Sequence, residues 1–134
     1  MTQEETEIGR PPETSAVRAV MYLRVASPRP DDSQAAAHQR AACLHVAERR
    51  GLSIAREYLD LGTPGRFDRQ SALQHLLSEL AEKCEAETVV VSDKARLSRS
   101  LPELMTTVQR IRGCGAIVVT ADNLEQIYEG RNEA

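Results

Sequence analysis

No run of apolar residues in this chain is long enough to cross a bilayer, and the amino terminus lacks the basic-then-apolar pattern of a secretion signal. The expectation is a cytoplasmic protein with no membrane association, and Glu4, Glu5 and Glu7 near the start agree with it. Cysteine is sparse: Cys43, Cys84 and Cys114 are widely spaced and form no CxxC pair. Zinc and disulfides are therefore not expected, and the thiols read as reduced and buried. His38 and His45 fall seven residues apart with no further ligands beside them, so they read as surface residues and no metal site is expected. Gly62-Thr63-Pro64-Gly65 is not followed by the lysine and hydroxyl pair of a nucleotide-binding P-loop. Positive charge is not in excess either, because 17 Lys and Arg face 20 Asp and Glu for a net charge of -3. A chain that grips duplex DNA alone normally shows a basic face, so modest affinity for bare DNA is expected.

What is present is enough for one domain with one real core: 134 residues, 41% of them hydrophobic. Residues 1–16 hold Pro11, Pro12 and four glutamates with few apolar groups, and read as a disordered acidic tail. The folded domain is expected over 17–130. Val17 to Val25 reads as a buried first strand, followed by a loop rich in proline and aspartate. A helix is expected from Ser33 to about Arg50, with Ala37, Ala41, Leu44 and Ala47 on one face and Gly51 as its stop. Leu52 to Leu59 reads as a second strand, and Asp60 to Phe67 as a loop shaped by Gly62, Pro64 and Gly65.

Asp68 is the expected cap of a helix to about Lys83, whose Leu73, Leu76, Leu77 and Leu80 recur at helical spacing. Glu87 to Ser92 contains a third strand. Ser100 and Glu103 have the spacing of a capping box for a helix with Leu104, Val108 and Ile111 inward. Gly113 and Gly115 close that helix, and Ala116 to Thr120 makes a fourth strand. Alternation of this kind predicts an α/β three-layer sandwich on a mostly parallel sheet of four or five strands.

Four arginines stand out on this frame. Arg24 lies at the end of the first strand, Arg69 in Phe67-Asp68-Arg69, and Arg96 and Arg99 in the loop after the third strand. Open α/β sheets place their ligands beyond the carboxyl ends of the strands. Guanidinium groups stay charged and offer planar, bidentate donors, which suits a phosphodiester. Any one arginine at a strand end reads as ordinary surface charge; several converging on one point suggest a phosphate site.

The order of motifs adds to this. Tyr22-Leu23-Arg24-Val25-Ala26-Ser27, then Ser33 and Gln39, then Tyr58 to Gly62 with Gly65 and Asp68-Arg69, then Val89-Val90-Val91 leading to Arg96-Leu97-Ser98-Arg99-Ser100, resembles the catalytic domain of the serine recombinases, the resolvases and invertases. The resemblance runs from about Val17 to about Ala121. It implies a resolvase-like fold and strand exchange through a phosphoserine link to DNA, with no metal or other cofactor. It also implies that Arg24, Arg69, Arg96 and Arg99 are phosphate- or DNA-binding residues and that Asp60 is the acidic catalytic residue. Two positions depart from the motif: Ala26 falls on the nucleophilic serine, and Ala95 falls on an acid next to Arg96.

An alanine methyl cannot form a phosphoester, so the direct alignment implies an inactive domain that binds DNA phosphate or a full-length recombinase subunit. Ser27 is the substitute nucleophile if the chain after the first strand slips by one position, although neighbouring side chains in a strand point to opposite faces. Ser98 and Ser100 are poorer candidates: the first is a common serine or glycine of the motif and the second a helix cap. A third reading is an α/β protein-interaction module in which the arginines make structural salt bridges or meet an acidic protein partner. Family members continue into a long dimerising helix and a separate DNA-binding domain. Neither is expected in the residues after Tyr128, so the expected state is a monomer or weak dimer.

Overall fold

The computed structural model describes residues 17–25, 32–62, 70–83, 85–122 and 127–128, with the backbone alone at 32, 33, 127 and 128. Within these, β1 (Val17–Val25), α1 (Asp32–Arg50), β2 (Leu52–Leu61), α2 (Ser71–Lys83), β3 (Thr88–Val91), α3 (Leu101–Gly113), β4 (Ile117–Thr120) and β5 (Ile127–Tyr128) follow one another along the chain. A 3-10 turn, Lys94–Arg96, lies between β3 and α3. The sheet runs β2-β1-β3-β4-β5. Its first four strands are parallel and β5 is antiparallel to β4. This is the α/β, mostly parallel architecture that the pattern predicts.

The continuous apolar run of β1 follows from its place between β2 and β3, where helices cover both faces. Strand alternation then divides the core in two. Val20 and Tyr22 join Val89, Val91 and Val118 under α2 and α3, whereas Ala19, Met21 and Leu23 join Val90 and Val119 under α1. Leu73, Leu76, Leu77 and Leu80 of α2 are all buried, as their spacing predicts, and so are Leu104, Val108 and Ile111 of α3. Each buried leucine contributes roughly 1.5–3 kcal/mol of transfer free energy.

The face of α1 is a correction. Ala36, Cys43, Val46 and Ala47 are buried, whereas Ala37 and Ala41 are exposed and Leu44 is 45% exposed. An alanine-rich helix carries more than one stripe at helical spacing, and the stripe that includes Val46 and Cys43 is the one that fills the space over β1 and β3. Gly51 ends the helix with φ 72°, a left-handed conformation that strains any other residue. Among the described cysteines, Cys43 is buried, with burial pushing its thiol up to about 12, and Cys114 is half-buried. Cys84 lies outside the described residues.

A second correction concerns β2, which continues to Leu61, so Asp60 belongs to the strand. Ala19 pairs with Ile54 but Val20 pairs with Arg56, which leaves Ala55 as an extra residue on β2. A bulge of one residue exchanges the faces of everything beyond it. Ile54 packs on the α1 side, yet Tyr58 lies in the cluster under α2 and α3. Asp60, two residues further on, shares that face.

Candidate functional site

Asp60 is 4% exposed, and its carboxylate is fully engaged. Oδ1 accepts the backbone N–H of Ala72 at 2.9 Å, and Oδ2 accepts that of Leu73 at 3.2 Å and the Tyr22 hydroxyl at 2.7 Å. It therefore caps α2 from a neighbouring strand, satisfying donors that the first turn of a helix cannot satisfy itself. The expected cap, Asp68, lies outside the described residues. Burial, more than the Asp60 charge, raises the Tyr22 phenol far above its ordinary range, so it stays protonated and donating.

Arg24 pairs with Asp60 across the β1–β2 ladder and is completely buried. Its Nε donates to the carbonyl of Arg96 at 3.1 Å and its Nη2 to that of Ala95 at 2.8 Å. Burial, then the nearby Arg96 charge, lowers its pKa, and a guanidinium remains charged regardless. Arg96 returns the contact, its Nη1 donating to the Arg24 carbonyl at 2.9 Å. Gln39 of α1 clamps the same residue, accepting from the Arg24 N–H at 3.1 Å and donating to its carbonyl at 2.9 Å.

Gln70, fully buried just before α2, sends Nε2 toward the Tyr22 hydroxyl at 3.0 Å and the carbonyls of Arg96 and Leu97 at 3.1 Å each. Its Oε1 has no partner among the described residues. The loop after β3 is thus held from beneath by two buried side chains, Arg24 and Gln70. Neither the role of Gln70 nor that of Asp93, which accepts from Ala95 N–H and Arg96 Nε, follows from the motif order, and the burial of Gln70 is visible only in the structure.

Held in this way, the loop turns its cations outward. Lys94 and Arg99 are exposed, and the Arg96 side chain is 20% exposed. Lys94 and Arg99 line a depression of about 320 Å³ together with Ala95, Ser98, Leu101 and Leu104. Ser98 is buried, donates to Glu103 at 3.2 Å and accepts the Ser100 N–H at 3.0 Å, so its hydroxyl braces the turn. Ser100 caps α3 by accepting the Glu103 N–H at 3.5 Å. Of the sequence-predicted residues, Arg24, Asp60 and Arg96 are brought into one hydrogen-bonded network, and Arg99 stands at its outer edge. Ala26, Ser27 and Arg69 lie outside the described residues.

A separate charged cluster sits on Glu79 of α2, which accepts from Tyr58 at 2.5 Å and Arg56 at 2.6 Å and pairs with His75 and Lys83. Joining the edge strand to its helix, it reads as a structural ion-pair network. No helix among the described residues is long and apolar enough to cross a membrane.

The fold has close counterparts among solved structures. The N-terminal catalytic domain of TP901-1 integrase superimposes with a TM-score of 0.66 at 24% identity, over 78% of this chain and 77% of that one. A resolvase family site-specific recombinase from Streptococcus pneumoniae gives 0.73 at 15% identity, over 87% and 78%. The C-terminal catalytic domain of ISC1926 TnpA, an IS607-like serine recombinase, gives 0.70 at 20% identity, over 82% and 71%. No curated protein matches the chain. At these identities the structures show the fold alone. The family model described as "Resolvase, N terminal domain" matches residues 19–133, and the chain therefore belongs to the resolvase N-terminal domain family.

Proposed function

We propose that this domain binds DNA phosphate, or a recombinase subunit on DNA, without itself breaking a strand. The observation that carries the reading is the loop after β3. Buried Arg24 and Gln70 hold its backbone, Lys94 and Arg99 line one depression, and Arg96, partly exposed, lies between them in the sequence of the loop. A rigid loop that presents two guanidinium groups and an ammonium suits a phosphodiester. Arg24 lies behind this surface, so its contribution is to hold the loop. Catalytic silence follows from Ala26 at the motif's nucleophile position and Ala95 at its acidic one.

The test is an anisotropy titration of generic duplex DNA at low and moderate salt, with the intact chain beside the Arg96→Ala, Arg99→Ala variant. Each lost phosphate contact should reduce the slope of log K against log salt by about 0.9, so the double variant should lose about 1.8. Equal binding by both proteins would refute the assignment. A denaturation-resistant protein–DNA adduct that disappears in Ser27→Ala would replace silence with the Ser27 nucleophile. No binding by either folded protein would favour the protein-interaction reading.

A further inference from the structure

Asp93 stands at the start of the 3-10 turn that carries Arg96. Its Oδ1 accepts the Ala95 N–H at 3.0 Å and Arg96 Nε at 3.2 Å, while Oδ2 accepts the Ser92 hydroxyl at 3.3 Å. On its other side, Arg96 Nη1 donates to the Arg24 carbonyl at 2.9 Å. A guanidinium has five N–H donors, so these two bonds fix its plane from two directions and leave the rest for a ligand. Those remaining donors have no partner among the described residues, and the side chain is 20% exposed in the loop that also carries exposed Lys94 and Arg99.

The charges of the cluster favour a carboxylate at this point. Arg96 and Arg99 both act on buried Arg24 in the unfavourable sense, and Asp93 acts in the opposite one. Without Asp93, Arg96 would keep only the neutral Arg24 carbonyl to hold it, and repulsion from the Arg24 guanidinium would favour swinging it into solvent. Both bonds are charge-assisted by the guanidinium, but only the one to Asp93 joins opposite charges, so the carboxylate is the stronger of the two anchors.

We infer that Asp93 is a positioning residue, locking the Arg96 guanidinium through Nε so that its remaining donors face a phosphodiester. The inference rests on the phosphate-binding reading above and adds the group that makes Arg96 effective. The competing explanation is that Asp93 merely caps the turn through Ala95 N–H. Asp93→Asn separates the two, because asparagine caps about as well as aspartate but removes the negative charge that attracts the guanidinium.

Two readouts on the full chain test this, with Asp93→Asn first shown to be folded by its circular dichroism and melting. In nuclear magnetic resonance, the Arg96 Nε–H should exchange slowly in the wild type and markedly faster in Asp93→Asn. In duplex titrations, Arg96→Ala should weaken binding about tenfold in the wild-type background but less than about twofold in the Asp93→Asn background, the non-additivity of two groups acting as a unit. Unchanged Nε–H exchange in Asp93→Asn, or the same Arg96→Ala penalty in both backgrounds, would overturn the proposal. Loss of the slow Nε–H signal together with no duplex binding by the wild type would support the lock and overturn the phosphate reading on which its purpose rests.

Discussion

Replacing Asp60 should damage the fold before it damages any chemistry. The carboxylate holds two helix N–H groups and one buried phenol, at 2.9, 3.2 and 2.7 Å. Hydrogen bonds to a charged group are worth about 1.5–3 kcal/mol each, but alanine opens room for water and the Tyr22 hydroxyl keeps its bond from Gln70. Loss of a helix cap alone costs about 0.5–2 kcal/mol. Together these place Asp60→Ala at about 3 kcal/mol. Asp60→Asn should cost about 1–2 kcal/mol, since its oxygen can serve one N–H while its amide group cannot serve the other. Urea unfolding followed by far-ultraviolet circular dichroism measures both. For a chain of this size the alanine variant should melt about 10–15 °C lower. A double-mutant cycle with Tyr22→Phe should show coupling of about 1 kcal/mol, because both substitutions break the same bond. An Asp60→Ala variant within about 0.5 kcal/mol of wild type would refute the cap, and the residue's burial would then need a different cause.

Gln39→Ala removes the acceptor of the Arg24 N–H and one of two donors to its carbonyl, and should destabilise the domain by about 2 kcal/mol in the same urea assay. A change near zero would show that water replaces the amide. Leu77→Ala, at 2% exposure beneath α2, should cost about 2–5 kcal/mol and give the scale against which the polar variants are read. The Glu79 carboxyl is held down to about 2, chiefly by the Tyr58 hydroxyl and then by the Arg56 charge. A depressed folded-state pKa stabilises above the unfolded value and loses that contribution as pH falls, here from the ordinary carboxylate range toward 2. Glu79→Gln should therefore flatten the fall of melting temperature across that acid window, and an unchanged acid limb would contradict the assignment.

Much of the architecture is local information. The apolar run of β1, the leucines of α2 at helical spacing, and Ser100 ahead of Pro102 and Glu103 each specify an element within a few residues, because periodicity and capping are short-range properties. The position of Arg96 and Arg99 in a strand-to-helix loop is legible for the same reason. Motif order also identifies the family, since spacing between elements is written directly in the chain.

Other features arise only when the elements meet. The α1 stripe that faces inward is chosen by the space over β1 and β3, because an alanine-rich helix offers more than one. Ala55 changes the face of β2 through a bulge that exists only in the pairing with β1, and this brings Asp60 to the start of α2 instead of toward α1. The same packing buries Arg24 beneath the loop it holds, and sets Gln39, Gln70 and Asp93 around it from three separate segments. The sequence by itself determined which charged side chains reach the carboxyl edge of the sheet. Tertiary structure decided which are buried supports and which face solvent, because burial and hydrogen-bond partnership depend on residues tens of positions apart.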